Sequence, residues 1–110
     1  MVYRRLHRLQ ERKEEAVRRR QRALRLFGRV AFVSRFPDVK VQLVNDDADM
    51  DVQIVKGYTP DQPCMWQVVP ANSNPDYCVQ LVKKNPDFTV KYVKSFPRVN
   101  IEDEGDSPQP

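Results

Sequence analysis

Six short segments of this chain follow one pattern, and a seventh begins it. They are RVAFV (29–33), VKVQLV (39–44), MDVQIV (50–55), CMWQVV (64–69), YCVQLV (77–82), FTVKYV (88–93) and the incomplete VNIEDE (99–104). Each segment is centred on an apolar residue, here called its anchor: Val30, Val41, Val52, Trp66, Val79, Val90 and Ile101. Successive anchors are 11, 11, 14, 13, 11 and 11 residues apart. A nearly constant period indicates one structural unit repeated along the chain.

Apolar and polar residues alternate within each repeat. In the second repeat Val39, Val41 and Leu43 are separated by Lys40 and Gln42, and a period of two is typical of a half-buried β-strand. Six repeats close on a valine that breaks the alternation, so we expect either a bulge there or strands partly buried on both faces. These closing valines are Val33, Val44, Val55, Val69, Val82 and Val93.

The alternation therefore predicts strands near 30–33, 39–44, 50–55, 64–69, 77–82, 88–93 and 99–101. We expect five anchors to be buried, namely Val41, Val52, Trp66, Val79 and Val90. We expect Leu43, Ile54, Leu81 and Tyr92 to be buried at least in part, because each lies two residues after an anchor on the same face.

A Pro-Asp or Ala-Asp pair precedes four of the strands, at 37–38, 48–49, 75–76 and 86–87. Proline fixes φ and donates no ladder hydrogen bond, so it suits the corner before a strand. The aspartate beside it can accept hydrogen bonds from nearby amides and close the turn. We interpret these aspartates as turn residues rather than as catalytic residues or metal ligands.

The recurring pattern A/P-D-x-x-V-x-Φ-V resembles the septoil knot domain family over residues 29–104. The resemblance rests on Ala48-Asp49 with Val52 and Val55, Pro75-Asp76 with Val79 and Val82, Pro86-Asp87 with Val90 and Val93, and on Trp66 in the middle repeat. It implies an all-β body of seven short strands whose backbone forms a seven-crossing knot. Without the resemblance, the repeats also fit an up-and-down antiparallel sheet curled into a small barrel.

Residues 3–27 contain neither Gly nor Pro and predict a helix, with Gly28 as its C-cap. Residues 1–29 have a net charge of +8, residues 30–101 are neutral and residues 102–110 carry −4. We therefore divide the chain into a basic helix (1–28), the repeat domain (29–104) and a disordered acidic, proline-containing tail (105–110). We expect the helix to add little to the core, with only Leu24, Leu26 and Phe27 anchoring its last turn, because the repeats are complete without it.

The helix is the candidate anion-binding surface. It carries the densest positive charge of the chain, which favours an acidic protein, a nucleic acid or an anionic membrane as partner, and it allows self-association. The alternative is a solvated helix that binds nothing. The arginines concerned are Arg4, Arg5, Arg8, Arg12, Arg18, Arg19, Arg20, Arg22 and Arg25.

The sequence contains few residues in patterns typical of enzyme active sites. His7 is the single histidine, and there is no Gly-rich phosphate loop or Cys/His cluster with metal-ligand spacing. Cys64 and Cys78 occupy opposite phases of their strands, which argues against a disulfide, and no apolar run approaches the length of a membrane span. The sequence therefore predicts a non-catalytic structural or interaction domain, without metal or cofactor, in a reducing, cytoplasmic environment.

Overall fold

The computed structural model places one helix before seven strands. It describes residues 2–101, with side chains from residue 14 onward, so the predicted tail at 105–110 lies outside the described residues. The helix is α1 (Val2–Arg25). The strands are β1 (Gly28–Phe32), β2 (Val39–Leu43), β3 (Met50–Ile54), β4 (Met65–Val68), β5 (Tyr77–Leu81), β6 (Phe88–Val93) and β7 (Arg98–Val99). Every repeat forms a strand within two residues of its predicted bounds, which confirms the interpretation of the alternation.

Strands β1 to β6 close into a barrel in which every neighbouring pair is parallel. The order around the barrel is β4-β1-β5-β2-β6-β3, and β3 pairs with β4 to close it. The short β7 is an addition that runs antiparallel to β3. The all-β prediction is confirmed, whereas the antiparallel up-and-down alternative is wrong. Most connections return from the end of one strand to the start of another that is not its neighbour.

Neighbouring strands are displaced by two residues in the same sense all around the barrel. Val30 pairs with Tyr77, two residues before the anchor Val79, and Val79 pairs with Val39, two residues before the anchor Val41. Six displacements of two residues amount to a shear of twelve, so the strands are steeply tilted. The tilt brings residues at the same position relative to the anchor in the six repeats to the same height along the barrel axis.

The inward-facing positions consequently form three layers of six. The anchor layer is fully buried and consists of Val30, Val41, Val52, Trp66, Val79 and Val90. The start layer lies two residues earlier, where the strands begin, and consists of Gly28, Val39, Met50, Cys64, Tyr77 and Phe88. The end layer lies two residues later and consists of Phe32, Leu43, Ile54, Val68, Leu81 and Tyr92. We expected partial burial for four residues of this layer. Ile54 is half-buried, whereas Leu43, Leu81 and Tyr92 are more exposed, at 44%, 48% and 43%.

The backbone amides of the closing valines donate hydrogen bonds to neighbouring strands. The amide of Val33 donates to the carbonyl of the anchor Val79 at 2.9 Å. The same bond recurs from Val44 to Val90, from Val55 to Trp66, from Val69 to Val30 and from Val82 to Val41. Val55 is buried and the other closing valines are half-buried. We expected either a bulge at these positions or strands partly buried on both faces, and the second is observed.

Helix α1 covers the end of the barrel where the strands start. Ala23 and Leu26 are 0% and 3% exposed and belong to the same apolar cluster as the anchors. The indole Nε1 of Trp66 donates to the carbonyl of Leu26 at 2.9 Å. Anchoring of the last turn by Leu26 is thus confirmed, whereas Leu24 and Phe27 are only half-buried. The expectation that the helix otherwise adds little to the core is wrong, because Ala23 is also fully buried and helps to cover the start layer.

Gly28 does not cap the helix, which ends at Arg25, but opens β1 with a φ of 106°. Asp76 explains why a glycine is needed there. The Oδ2 atom of Asp76 accepts a hydrogen bond from the amide of Arg29 at 2.9 Å, and a methyl group on Gly28 would collide with that same atom.

We predict that Gly28→Ala destabilises the fold by about 2 kcal/mol more than Gly57→Ala. Both glycines have a positive φ, 106° and 85°, so both substitutions carry the backbone cost. Only Gly28 is crowded, since an added methyl at Gly57 meets nothing within 4 Å. Urea unfolding of the two variants measures the difference, and equal losses would contradict the role given to Asp76.

Candidate interaction site at the helix-capped end

The corner aspartates clamp the start of a neighbouring strand. The amide of Asp38 donates to the carbonyl of Cys78 at 2.8 Å, and the Oδ2 atom of Asp38 accepts from the amide of Cys78 at 2.8 Å. The same exchange joins Asp76 to Arg29 and Asp87 to Lys40. The expectation that these aspartates accept backbone amide hydrogen bonds is confirmed, but the predicted turn role is wrong, because they join strands 40–47 residues apart instead of closing their own turns.

The residue before each corner pair has a left-handed backbone. Asp47, Asn74 and Asn85 adopt φ values of 50°, 53° and 53°, which their short polar side chains tolerate. Phe36 and Phe96 adopt 54° and 58° at equivalent positions and are 93% and 87% exposed. The repeat pattern did not predict these two exposed rings. The only available signal was the Phe-Pro pair at 36–37 and 96–97, where the other corners carry Asn or Asp.

Carboxylates at the strand starts face the basic helix. Arg19 Nη2 lies 2.7 Å from Asp49 Oδ2 and donates to the carbonyl of Asp87 at 3.0 Å. Its guanidinium carbon lies 5.3 Å from the centre of the Phe88 ring, and that of Arg22 lies 5.7 Å from it. The barrel is neutral overall, but its aspartates and basic residues lie in different places. The aspartates at the corners therefore contact the basic helix, although the net charge of the barrel predicts no attraction.

The predicted anion-binding arginines differ in whether they contact the barrel or solvent. Arg19 is half-buried and engaged by the barrel, whereas Arg18, Arg20, Arg22 and Arg25 are exposed. The side chains of the other four, Arg4, Arg5, Arg8 and Arg12, lie outside the described residues.

Helical spacing explains this division. Arg19, Ala23 and Leu26 recur at steps of four and three, which places them on the face that meets the barrel. Arg18, Arg22 and Arg25 follow the same steps one residue earlier and form a line beside that face. Arg20 lies on the other side of Arg19. The helix therefore binds the barrel through one edge and presents arginines on both sides of it.

Two depressions flank the docked part of the helix. One is lined by Glu15, Arg18, Arg19, Arg22, Pro86 and Asp87. The other is lined by Arg22, Arg25, Leu26, Asp38, Val39, Tyr77 and Phe88. Each depression therefore contains at least one carboxylate beside its arginines.

Two ionisable groups of the described residues have perturbed pKa values. Burial, with a smaller contribution from Asp51, raises the pKa of the Cys64 thiol to about 12. Burial also raises the pKa of Tyr92. Both shifts keep the group protonated at neutral pH and lower its nucleophilicity. Cys64 and Cys78 are free thiols, and among the described side chains no three His, Cys, Asp or Glu residues gather as a metal site.

A family model described as the 7(1) septoil knot domain matches residues 23–100. The chain belongs to the septoil knot domain family. The match begins at Ala23, the first fully buried residue among the described side chains of α1, and Arg18 to Arg22 lie before the matched region. A backbone knot in this chain stays a prediction, made from the family description.

No curated protein matches the chain significantly. Between residues 2 and 101, no helix is both long and apolar enough to cross a membrane.

We predict that Arg19→Ala lowers the free energy of unfolding by about 1 kcal/mol, because it removes an ion pair, a carbonyl hydrogen bond and a cation–π contact. The magnitude is modest since the arginine side chain is 42% exposed. Arg20→Ala, on the exposed side of the same helix, serves as the matched control and should change stability by less than about 0.5 kcal/mol. Urea unfolding at low salt compares them, and equal effects would show that Arg19 does not dock the helix.

Proposed function

We propose that this chain is a non-catalytic interaction module. In this proposal the barrel is a rigid base, and the helix mounted on it binds an anionic macromolecule through its exposed arginines. The observation that carries the proposal is the division of charge on α1. Arg19 is used to dock the helix, whereas Arg18, Arg20 and Arg25 are exposed.

Mounting the helix on the barrel favours binding. The bond between Trp66 and the carbonyl of Leu26, together with the burial of Ala23, fixes the last turns of α1. A partner that binds arginines on a preformed helix orders less of the chain than one that must first fold it, so less conformational entropy is lost. A helix held in this way is a better binding element than a free basic segment.

A non-catalytic role is supported by the state of the reactive groups. The raised pKa of Cys64 keeps the thiol protonated. The carboxylates of Asp38, Asp76 and Asp87 each accept a backbone amide hydrogen bond from a neighbouring strand. Groups that hold the fold together in this way are poorly placed to move protons or bind a metal. The two free thiols also fit the reducing cytoplasmic location that we propose.

A nucleic acid is the partner class on which we base the test. Arginine side chains contact phosphates without reading bases, and the chain carries no base-reading motif. Binding should therefore depend little on nucleotide sequence and should weaken steeply with salt as counterions are released. An acidic protein would bind the same arginines, so an acidic polypeptide is the comparison ligand.

We predict that the triple variant Arg18→Gln, Arg20→Gln, Arg25→Gln binds duplex DNA or RNA at least about tenfold more weakly than the unmodified chain. The slope of log affinity against log salt should also become shallower by about two to three, since roughly one counterion is released per phosphate contact. Fluorescence anisotropy with labelled duplexes and labelled polyglutamate measures both quantities.

The matched control removes three charges from the opposite end of the barrel, through Lys83→Gln, Lys84→Gln and Lys94→Gln. It changes the net charge equally, so it separates binding by the helix from general attraction. Equal losses in the two triple variants would contradict the proposal. A chain that binds polyglutamate but neither nucleic acid would keep the helix as the binding element and replace the partner class.

A further inference from the structure

The end of the barrel opposite the helix is apolar, and among the described residues nothing covers it. The start layer is sealed by α1, and its Val39, Met50, Cys64 and Phe88 are at most 5% exposed. In the end layer, Leu43, Val68, Leu81 and Tyr92 are 43–48% exposed, and Phe32 and Ile54 complete the ring. Six apolar side chains thus gather at one end of the molecule, which is more than scattered surface residues provide.

Basic residues surround this ring. Lysine directly follows the closing valine of three repeats, at Lys56, Lys83 and Lys94, and Lys84 and Arg35 lie two residues after theirs. All five are exposed. Asp46 is the only acidic residue within two positions of any closing valine. The rim where the strands finish is therefore basic, whereas the corner aspartates lie at the other end, where the strands start.

Two kinds of protein partner fit this end poorly. Every strand of the barrel, β1 to β6, is paired on both sides, so no strand edge is free for an added peptide strand. A second copy that docked end to end would bring two basic rims together, and that contact is repulsive. The combination of apolar ring and basic rim instead matches an anionic surface with an apolar interior.

We propose that the end layer docks on the surface of a membrane that contains anionic lipids. Leu43, Leu81 and Tyr92 enter the boundary between headgroups and acyl chains, where apolar area is removed from water. The lysines of the rim extend their aliphatic stems beside the ring and place their charges among the lipid phosphates and carboxylates. This surface is separate from the helix and leaves the arginines of α1 at the far end of the barrel, free to hold a second anionic partner.

A tryptophan placed in the ring tests this docking directly. In Leu81→Trp, mixed vesicles of phosphatidylcholine and phosphatidylserine should shift the tryptophan emission to the blue, and pure phosphatidylcholine vesicles should not. Trp66 is fully buried, so its emission should stay constant. Gln21→Trp is the matched control, because Gln21 is exposed on α1, which covers the opposite end of the barrel. No shift in Leu81→Trp, or equal shifts in both variants, would overturn the proposal.

Charge variants in the Leu81→Trp background separate this surface from the helix. Adding Lys56→Gln, Lys83→Gln and Lys84→Gln should weaken vesicle binding about tenfold or more. Adding Arg18→Gln, Arg20→Gln and Arg25→Gln should leave the blue shift in place even if nucleic-acid binding is lost. Loss of the shift in the arginine variant alone would assign the membrane contact to the helix and refute the docking of the end layer.

Sedimentation of the chain without vesicles tests the remaining occupant of this surface. We expect no self-association that depends on the end layer. A dimer that disappears in Leu43→Gln, Leu81→Gln would show that a second copy covers the ring, and the membrane proposal would then be wrong.

Discussion

The constant displacement of two residues between neighbouring strands is the constraint on which the rest of this structure depends. Because it recurs at all six junctions, residues of equal rank meet in layers, and one apolar anchor per repeat suffices to build a filled core. It also brings each corner aspartate level with the first residues of another strand, where carboxylate and amide exchange hydrogen bonds. The sequence repeats because the same register recurs between each pair of neighbouring strands.

Closure of the barrel gives the molecule two unlike ends. The six barrel strands all run the same way, so every Pro-Asp or Ala-Asp corner lies at one end and the lysines that follow closing valines lie at the other. The acidic end attracts a basic helix and is sealed by Ala23, Leu26 and the bond from Trp66. The other end keeps its apolar ring exposed. Both proposals, anion binding by the helix and lipid docking by the ring, follow from this polarity.

The strands and the buried anchors were predictable because period-two alternation is a local property of the chain. Parallel pairing was not, since it depends on which distant repeats meet, and the same alternation fits antiparallel strands. The docking of α1 was missed for a related reason. The net charge of the barrel is zero, and only the fold shows that Asp49 and Asp87 lie together beside Arg19. For the interaction site, the sequence located the arginines but did not reveal which of them the barrel engages.

The sealing of the start layer by α1 is tested most directly by Ala23→Glu. Ala23 is fully buried, so the account predicts a loss of roughly 3 kcal/mol or more in urea unfolding, the cost of placing an unpaired carboxylate in an apolar interface. Gln21→Glu, at an exposed position of the same helix, should change stability by less than about 0.5 kcal/mol. If Ala23→Glu is as mild as Gln21→Glu, the helix does not seal the barrel.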